Sequence, residues 1–392
     1  MRNYNDYITA YLNYSSHSEP PINFHVWTCI SIIGAALQRK VYLPWGYNTL
    51  YPNMYIILIG PSGCGKGIAM GIGKRILKEV NGIVVCSASI TREALIRDMR
   101  ENVLSYVCPS DGQTKYHSSI SVFSSELAVF LGQANIKFLA DLTDWFDCHD
   151  SWEYRTKHQG TDELIGLCVN MLGATAPDWL RSIFPQEAFG GGFTSRVIFV
   201  VEEGKRQLIS RNILPPDIAS MNRLLVQDLE RIHLLKGPMK FPAETFELFD
   251  KWYHSQAKKP PITDSHFSGY CERRAMHTLK LSMICSVSRG DDLIITPGDF
   301  ERAIMLIESV EPRMSRAFQG LGRAKYAELT HDVFQYIYHH KEVSKASLLN
   351  HFDTDLDDYS LGIISKTLAG RGTIEINYNQ LSGEVIYKLK GD

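Results

Sequence analysis

Short apolar runs alternate with helical patterns in the first half of the chain. Runs with the length and composition of buried strands lie at residues 55–59, 83–86, 120–123, 168–172 and 197–201. Segments with helical spacing of apolar residues separate them, as at 66–80 and 91–100. Strands that alternate with helices predict an α/β fold with a parallel sheet covered by helices on both faces.

Other patterns complete this half. Residues 4–38 are predicted to be helical with a break at Glu19-Pro20-Pro21, and 40–44 form a short strand. The polar segment 101–118 predicts a surface loop, and 127–142 predicts a helix. Residues 152–167 predict a β-hairpin whose tip is Lys157-His158-Gln159-Gly160.

The pattern changes after Gly204. Four helical segments follow, at 218–235, 243–257, 270–288 and 297–318. From Tyr326, short helices precede a β-hairpin at 372–389, the order of a winged helix. The predicted organisation is an N-terminal helical segment (1–38), an α/β core (39–204), an all-α lid domain (205–325) and a C-terminal winged helix (326–392).

Composition adds few constraints on function. The chain of 392 residues has a formal net charge of −2, so no overall basic field indicates a nucleic-acid partner. None of the eight cysteines lies within four residues of another, which disfavours zinc or redox pairs of the Cys-x-x-Cys type. Without an apolar signal core or a membrane span in the sequence, we expect a cytoplasmic location, in a bacterium or a phage-infected cell.

The strongest chemical signal is a phosphate loop directly after the first buried strand. It reads Gly60-Pro61-Ser62-Gly63-Cys64-Gly65-Lys66 and runs into a predicted helix. Small residues let backbone N–H groups turn towards phosphate oxygens, and the start of the helix favours negative charge. Lys66 is positioned to reach the β- and γ-phosphates, which predicts ATP binding.

The residues after Lys66 depart from this motif. A Ser or Thr at that point normally ligates Mg²⁺, but this chain has Gly67 followed by Ile68, which completes the predicted nucleotide-binding segment. Two alternatives remain open. Either Mg²⁺ is held through water and another side chain, or hydrolysis is slow.

A carboxylate follows the third buried strand. Ser124-Ser125-Glu126 places Glu126 where the acid of a nucleotide hydrolase is expected, while Ser125 replaces the usual Asp before it. We predict that Glu126 activates water and helps to hold Mg²⁺. The alternative is a glutamate that only favours the start of a helix.

Polar residues near the last two core strands are further candidates. Asn170 and Thr175 are both candidates to contact the γ-phosphate and position water, the alternatives being a buried amide and a turn or helix cap. Arg196 ends a glycine-rich run before the fifth strand. We predict that it acts as an arginine finger on an adjacent subunit, the alternative being a surface ion pair.

Several segments resemble a family of phage and mobile-element P-loop ATPases that often occur with primases. The similar segments are 50–60 leading into the phosphate loop, Ile90–Leu95, Ser125–Leu127, Gly173–Pro177 and Gly192–Arg196. The resemblance spans roughly residues 19–311 and implies a P-loop NTPase of the AAA+ or RecA-like type that acts as a replicative helicase. It also implies a homo-oligomeric ring, a hexamer by expectation, with ATP and Mg²⁺ as ligands.

The resemblance extends to DNA contacts and to the lid. The predicted hairpin is similar to the channel hairpin of superfamily 3 and minichromosome-maintenance helicases, which implies that Lys157 and His158 touch single-stranded DNA in the ring channel. An ordinary exposed hairpin is the alternative. Arg273 or Arg274 is predicted to lie over the nucleotide from the lid, the alternative being a solvated helix face.

The predicted winged helix carries more acids than bases. An acidic cluster at 353–358 would repel phosphates, so this domain is expected to bind protein, such as a primase or another replication protein, more readily than duplex DNA. The preferred function is an ATP-driven DNA motor. The first alternative is an ATP-binding loader or switch with slow hydrolysis, and the second is a small-molecule kinase.

Overall fold

The computed structural model describes residues 2–86, 89–132, 135–156, 160–184, 192–211, 213–258, 260–318, 327–353, 355–378 and 384–390. The chain divides into two compact units, Met1–Gln319 and Gly320–Asp392. The predicted boundary near 326 lies close to this division. The predicted boundaries after residues 38 and 204 fall inside the first unit.

Helices and strands alternate through the first unit. In chain order they are α1 (Tyr7–Tyr14), α2 (Ile22–Leu37), β1 (Val41–Trp45), β2 (Asn48–Leu50), β3 (Tyr55–Ile59), α3 (Lys66–Lys78), α4 (Arg92–Glu101), β4 (Leu104–Val107), β5 (Thr114–Ser124), α5 (Leu127–Leu131), α6 (Ile136–Trp145), β6 (Ser151–Thr156), β7 (Gly160–Ile165), β8 (Leu167–Thr175), α7 (Pro177–Ile183), β9 (Val197–Val201), α8 (Ile218–Leu234), β10 (Gly237–Pro238), α9 (Ala243–Lys258), α10 (Ser268–Arg289) and α11 (Pro297–Met314).

The central sheet has five strands in the order β4-β5-β8-β3-β9. Strands β5, β8, β3 and β9 run parallel, and β4 pairs antiparallel with β5 at one edge. Every residue of β3, β8 and β9 is buried, as expected for strands covered on both faces. The prediction of a mixed α/β fold with a parallel sheet is therefore confirmed.

Two predicted segments differ from the structure. Residues 83–86 form only an isolated parallel bridge, Val85 to Ser121, supported by two backbone hydrogen bonds beside β5. The segment 101–118, predicted as a loop, instead forms β4 and the start of β5. That prediction was wrong because the half-buried alternation of Leu104 and Tyr106 supports a strand despite the polar turn that follows.

The N-terminal helices and the later helices belong to the same packed body as the sheet. Helix α2 is buried along almost its whole length, from Phe24 to Leu37, because its apolar residues surround the helix instead of forming one stripe. The carboxylate of Asp228 on α8 accepts hydrogen bonds from the backbone N–H groups of Asn3 and Tyr4. These contacts hold the start of the chain against α8.

Helix boundaries in this unit follow local signals. The predicted helix 127–142 is divided into α5 and α6, with Gly132 at φ 70° ending α5. Helix α11 begins with a capping box in which Thr296 and Asp299 bond each other's backbone N–H, and Pro297 occupies its first turn. Each signal is readable in the sequence.

The second unit has its own core. It contains α12 (Ala327–His340), β11 (Glu342–Ser344), α13 (Lys345–His351), α14 (Asp358–Gly370), β12 (Ile374–Tyr378) and β13 (Val385–Leu389). The strands form an antiparallel sheet in the order β11-β13-β12. Its centre includes Ile337, Leu348, Leu361, Ile364 and Tyr387. Within the part of the chain that the structure describes, no helix is both long and apolar enough to cross a membrane.

Candidate functional site

The parallel strands bring four chain segments together at the side of the sheet where the strands end. In the register of the sheet, Ile59 at the end of β3 lies opposite Thr175 of β8 and Val201 of β9, and Ser124 of β5 lies opposite Gly173. The loops that leave these strands therefore start from the same side of the sheet. This side, formed by the carboxyl-terminal ends of the parallel strands, is called the carboxyl edge below. Ligands of open α/β sheets bind outside the carboxyl ends of the strands.

The segment from Gly60 to Lys66, which keeps the name phosphate loop from its sequence, turns through two left-handed glycines. Gly63 and Gly65 adopt left-handed φ values of 82° and 94°, which strain the backbone of any residue other than glycine. At Gly65 a Cβ atom would also lie 2.8 Å from a side-chain carbon of Pro20. Helix α3 begins at Lys66 immediately afterwards, so its first N–H groups face the loop.

Lys66 closes over this loop. Its ammonium donates hydrogen bonds to the carbonyl oxygens of Gly60 at 2.5 Å and Pro61 at 3.0 Å, and it lies 3.8 Å from the Cys64 sulfur. The side chains of Pro61, Ser62 and Ile68 are exposed. A cation beside a curved run of amides is an arrangement suited to a phosphate group.

Glu126 stands at the same edge with an exposed carboxylate. It precedes α5, and its side chain makes no capping hydrogen bond to that helix. The Ser124 hydroxyl donates to the Glu126 carbonyl at 3.0 Å, while Lys74 of α3 donates to the Phe123 carbonyl at 3.3 Å. These bonds connect α3, the end of β5 and the backbone of Glu126.

Asn170 lies away from the carboxyl edge. Its neighbour in β8, Met171, is opposite Tyr55, the first residue of β3, so Asn170 is at the other edge from the phosphate loop. The amide oxygen accepts from the Met54 N–H at 3.0 Å, and the amide nitrogen donates to Ser31 at 3.1 Å. This position corrects the expectation that Asn170 senses the γ-phosphate, because the buried amide is held by protein groups. Thr175, the other candidate, ends β8 beside the loop.

Arg196 lies in a 3-10 turn, Thr194–Arg196, directly before β9. It is 8% exposed and pairs with Asp147, and it also donates to the Gly192 carbonyl at 2.9 Å. In this arrangement the guanidinium is held inside its own chain. The expectation that it reaches an adjacent subunit thus requires the Asp147 pair to open.

The two predicted lid arginines are also placed elsewhere. Arg274 is buried and binds the Glu311 carboxylate through two nitrogens, at 2.5 and 2.8 Å, so it stabilises the packing of α10 on α11. Arg273 lies 3.6 Å from Asp147, close to the starts of β8 and β9. Arg273 therefore lies where the strands begin, and Arg274 is buried between α10 and α11, which corrects their assignment over the nucleotide.

Two other arginines reach the carboxyl edge. Arg313 at the end of α11 donates to Glu202 at 2.5 Å, and Arg316 pairs with Glu203, both acids following β9. The Glu202 carbonyl also lies 2.7 Å from the place a Cβ of Gly60 would take. Sequence reasoning missed this pair because a helical pattern does not reveal where a helix ends relative to the sheet.

The predicted hairpin is present as strands β6 and β7. Its middle contacts α4, where the guanidinium of Arg92 lies 4.4 Å from the Tyr154 ring centre and Arg100 pairs with Asp162. Lys157 and His158 lie outside the described residues, so their predicted DNA contact stays a prediction.

No known protein family matches the chain, and no curated protein is detectably similar to it. The assignment of function therefore depends on the residues themselves. Among the described parts of the chain, no three His, Cys, Asp or Glu side chains converge as a ready-made metal centre. The carboxylates at this edge include those of Glu126, Glu202 and Glu203.

Proposed function

We propose that the chain is a P-loop ATPase that couples nucleotide hydrolysis to movement on single-stranded DNA. The observation that carries this proposal is the loop from Gly60 to Lys66. It combines two left-handed glycines, an ammonium above the loop and the start of a helix at the carboxyl edge of a parallel sheet. Such a loop favours a polyphosphate over any uncharged ligand.

The surrounding residues support distinct roles in this proposal. Lys66 would exchange its bonds to Gly60 and Pro61 for phosphate oxygens, and the loop amides would hold the β-phosphate. Glu126 would accept a proton from the attacking water, and Thr175 would orient that water from the strand between β3 and β5. Magnesium would supply charge stabilisation on the transferred phosphoryl group.

Two arginines would complete the charge at this edge. Arg313 and Arg316 are partly exposed and each is held by a single acid, Glu202 and Glu203. Both guanidinium groups are nearly half exposed and screened by solvent, so exchanging a carboxylate for a phosphate oxygen is not opposed by a large free energy. They replace Arg273 and Arg274 in the proposal.

We propose a homo-oligomeric ring, with a hexamer as the expected form, that acts in the replication of a phage or mobile element. The order of helices and strands in the second unit supports a winged helix, with β12 and β13 as its ribbon. Two of its lysines, Lys345 and Lys388, pair with acids of the same unit, which favours a protein partner over duplex DNA.

A specific observation favours a second candidate, an ATP-dependent switch with slow turnover. Gly67 supplies no hydroxyl for Mg²⁺, and Ser125 stands where a second acid is expected. Calorimetry with ATP and Mg²⁺, followed by hydrolysis assays with and without single-stranded DNA, separates the two candidates. DNA-stimulated hydrolysis that Lys66→Ala abolishes supports the motor, and tight binding without turnover supports the switch. A folded protein with no ATP affinity would overturn both.

A further inference from the structure

A large cavity opens at the side of the sheet where the parallel strands begin, opposite the phosphate loop. Its volume is about 820 Å³, and its lining includes Trp45, Tyr51, Asp147, Tyr253, Arg273 and Lys280. The walls are formed by the β1–β2 hairpin, the segment after α6, and helices α9 and α10. This volume lies within the range of pockets that hold nucleotide-sized molecules.

Positive charge exceeds negative charge around Asp147, one of the residues that line this cavity, although Arg196 lies behind the lining. One carboxylate, Asp147, faces two guanidinium groups, those of Arg196 and Arg273. The Nε atom of Arg196 is buried and makes no hydrogen bond in the described structure. Asp147 can neutralise only one of the two arginines, so the group retains a positive charge.

Lys280 adds a buried amine to the same part of the cavity. Its nitrogen donates to the Asn53 amide oxygen at 2.7 Å and lies 4.0 Å from the centre of the Phe146 ring. Among the described residues no carboxylate forms an ion pair with it, and burial lowers its pKa. Burial disfavours the charged form of this amine, and an anion that approaches it would favour the ammonium.

The other acids around the cavity do not cancel this excess. Asp150 is paired with Arg39, whose guanidinium also binds three backbone carbonyls and stacks on the Tyr51 ring at 4.4 Å. Glu272 is exposed at the rim. The region around Asp147 is therefore the part of the cavity with the strongest attraction for an anion.

Aromatic rings surround the opening. Tyr47, in the turn between β1 and β2, is 108% exposed, and Tyr253 of α9 is 47% exposed. Behind them Trp45 packs edge-on against Phe249, with ring centres 5.1 Å apart. Exposed rings beside cations are the combination with which proteins bind unpaired nucleotides, because bases stack on the rings and phosphates meet the charges.

We propose that this cavity binds one nucleotide unit of a single-stranded nucleic acid, with the phosphate on Arg273 and Lys280 and the base against Tyr47 or Tyr253. The choice of nucleic acid rests on the proposed motor function. The cavity itself is separate from the phosphate loop and uses none of its residues. Strand and ATP would then occupy opposite edges of one sheet.

The test uses full-length protein carrying Lys66→Ala, so that the phosphate loop does not compete for nucleotide. Fluorescence anisotropy of a labelled oligodeoxythymidylate is measured for this protein and after adding Tyr47→Ala or Arg273→Gln. Tyr116→Ala is the matched control, because Tyr116 is 57% exposed and does not line the cavity. Melting temperatures verify that each variant is folded.

We expect each cavity variant to weaken oligonucleotide binding about tenfold or more, the loss typical of one stacked base or one phosphate contact, while Tyr116→Ala has no effect. Competition by thymidine monophosphate at similar concentration would identify a free nucleotide as the ligand, and its failure to compete would identify a strand. Unchanged binding by both cavity variants would overturn the proposal. So would absence of oligonucleotide binding in a protein that, without the Lys66 change, still binds ATP.

Discussion

The backbone carbonyl of Thr175 accepts a hydrogen bond from the N–H of Gly60 at 3.4 Å. The bond joins the last residue of β8 to the first residue of the phosphate loop. Thr175 is 2% exposed, and its hydroxyl donates to the Ala176 carbonyl at 3.3 Å. A change in the loop backbone is thus transmitted directly to β8, the strand between β3 and β5.

Replacing Thr175 tests whether its hydroxyl orients water. Thr175→Val keeps the shape and the backbone bond but removes the hydroxyl. We expect ATP hydrolysis to fall by about tenfold to a hundredfold, in the range of one positioned polar group, while ATP affinity changes little. Single-turnover hydrolysis and calorimetry on the same preparation check both parts. Equal losses in binding and turnover would instead show that Thr175 only supports the loop.

Replacing Asn170 should affect folding and leave ATP affinity unchanged. Asn170→Leu leaves the Met54 N–H and the Ser31 groups without their buried partner. Each unsatisfied buried group costs about 1–3 kcal/mol, so we expect unfolding free energy to fall by about 2–4 kcal/mol. Urea unfolding measures this change. A fully stable variant that binds ATP but no longer hydrolyses it would restore Asn170 as a sensor.

The contrast between Asn170 and Thr175 shows what the sequence could and could not predict. The strand, its direction and the polar character of both positions are readable from the apolar run and its ends. Which polar residue reaches the carboxyl edge depends on the register with β3, where Thr175 meets Ile59. Register is set by packing between strands distant in the chain, so one sequence does not contain it in readable form.

The arginines illustrate the same limit for helices. Arg273 and Arg274 are adjacent, yet one faces Asp147 and the other the buried Glu311. Helical geometry predicts that neighbours point in different directions, but it does not predict which element each direction meets. Arg313 and Arg316 reach the carboxyl edge only because α11 ends there, beside Glu202 and Glu203.

Introducing a hydroxyl after Lys66 tests the role of magnesium. Nothing lies within 4 Å of a Cβ built on Gly67, so Gly67→Ser fits without displacement. Because Gly67 supplies no hydroxyl ligand to phosphate-bound magnesium, we expect faster Mg²⁺-dependent hydrolysis in Gly67→Ser, by several-fold, and tighter binding of ATP with Mg²⁺. Gly71→Ser in the same helix is the matched control, because its Cβ also meets nothing within 4 Å. An equal effect of both changes would show only a gain in helix stability.

The Arg274–Glu311 pair should be structural. Arg274→Met leaves the Glu311 carboxylate buried without its bidentate partner, and we expect a loss of about 3–5 kcal/mol in unfolding free energy. The double variant with Glu311→Leu should recover most of this loss, because two apolar side chains replace the ion pair. Denaturant unfolding of the unmodified protein, the two single variants and the double variant gives the coupling free energy between Arg274 and Glu311. If Arg274→Met instead raised the ATP dissociation constant at unchanged stability, Arg274 would be a nucleotide contact, as the sequence predicted.

Buried histidines predict that the protein loses stability in mild acid. Burial lowers the pKa of His277 to about 4, and the cations of Lys280, Arg273 and Arg196 act in the same direction, while its Nε2 is hydrogen-bonded to the Ser195 carbonyl at 2.9 Å. A histidine whose folded pKa lies below its unfolded value of about 6.5 binds protons mainly after unfolding, so stability is complete above that value and falls as pH decreases towards about 4. For His277 alone, the expected loss between pH 7 and pH 5 is about 2 kcal/mol.

The pKa values of His25 and His117 are also lowered to about 4 by burial, so the whole protein should lose more than this amount. His277→Gln keeps a donor to Ser195 but cannot be protonated. The unfolding free energy of this variant should therefore fall by about 2 kcal/mol less between pH 7 and pH 5 than that of the unmodified protein. Urea unfolding at several pH values between 7 and 5 measures the difference between the two slopes. Parallel curves for the variant and the unmodified protein would mean that His277 takes up no proton on unfolding.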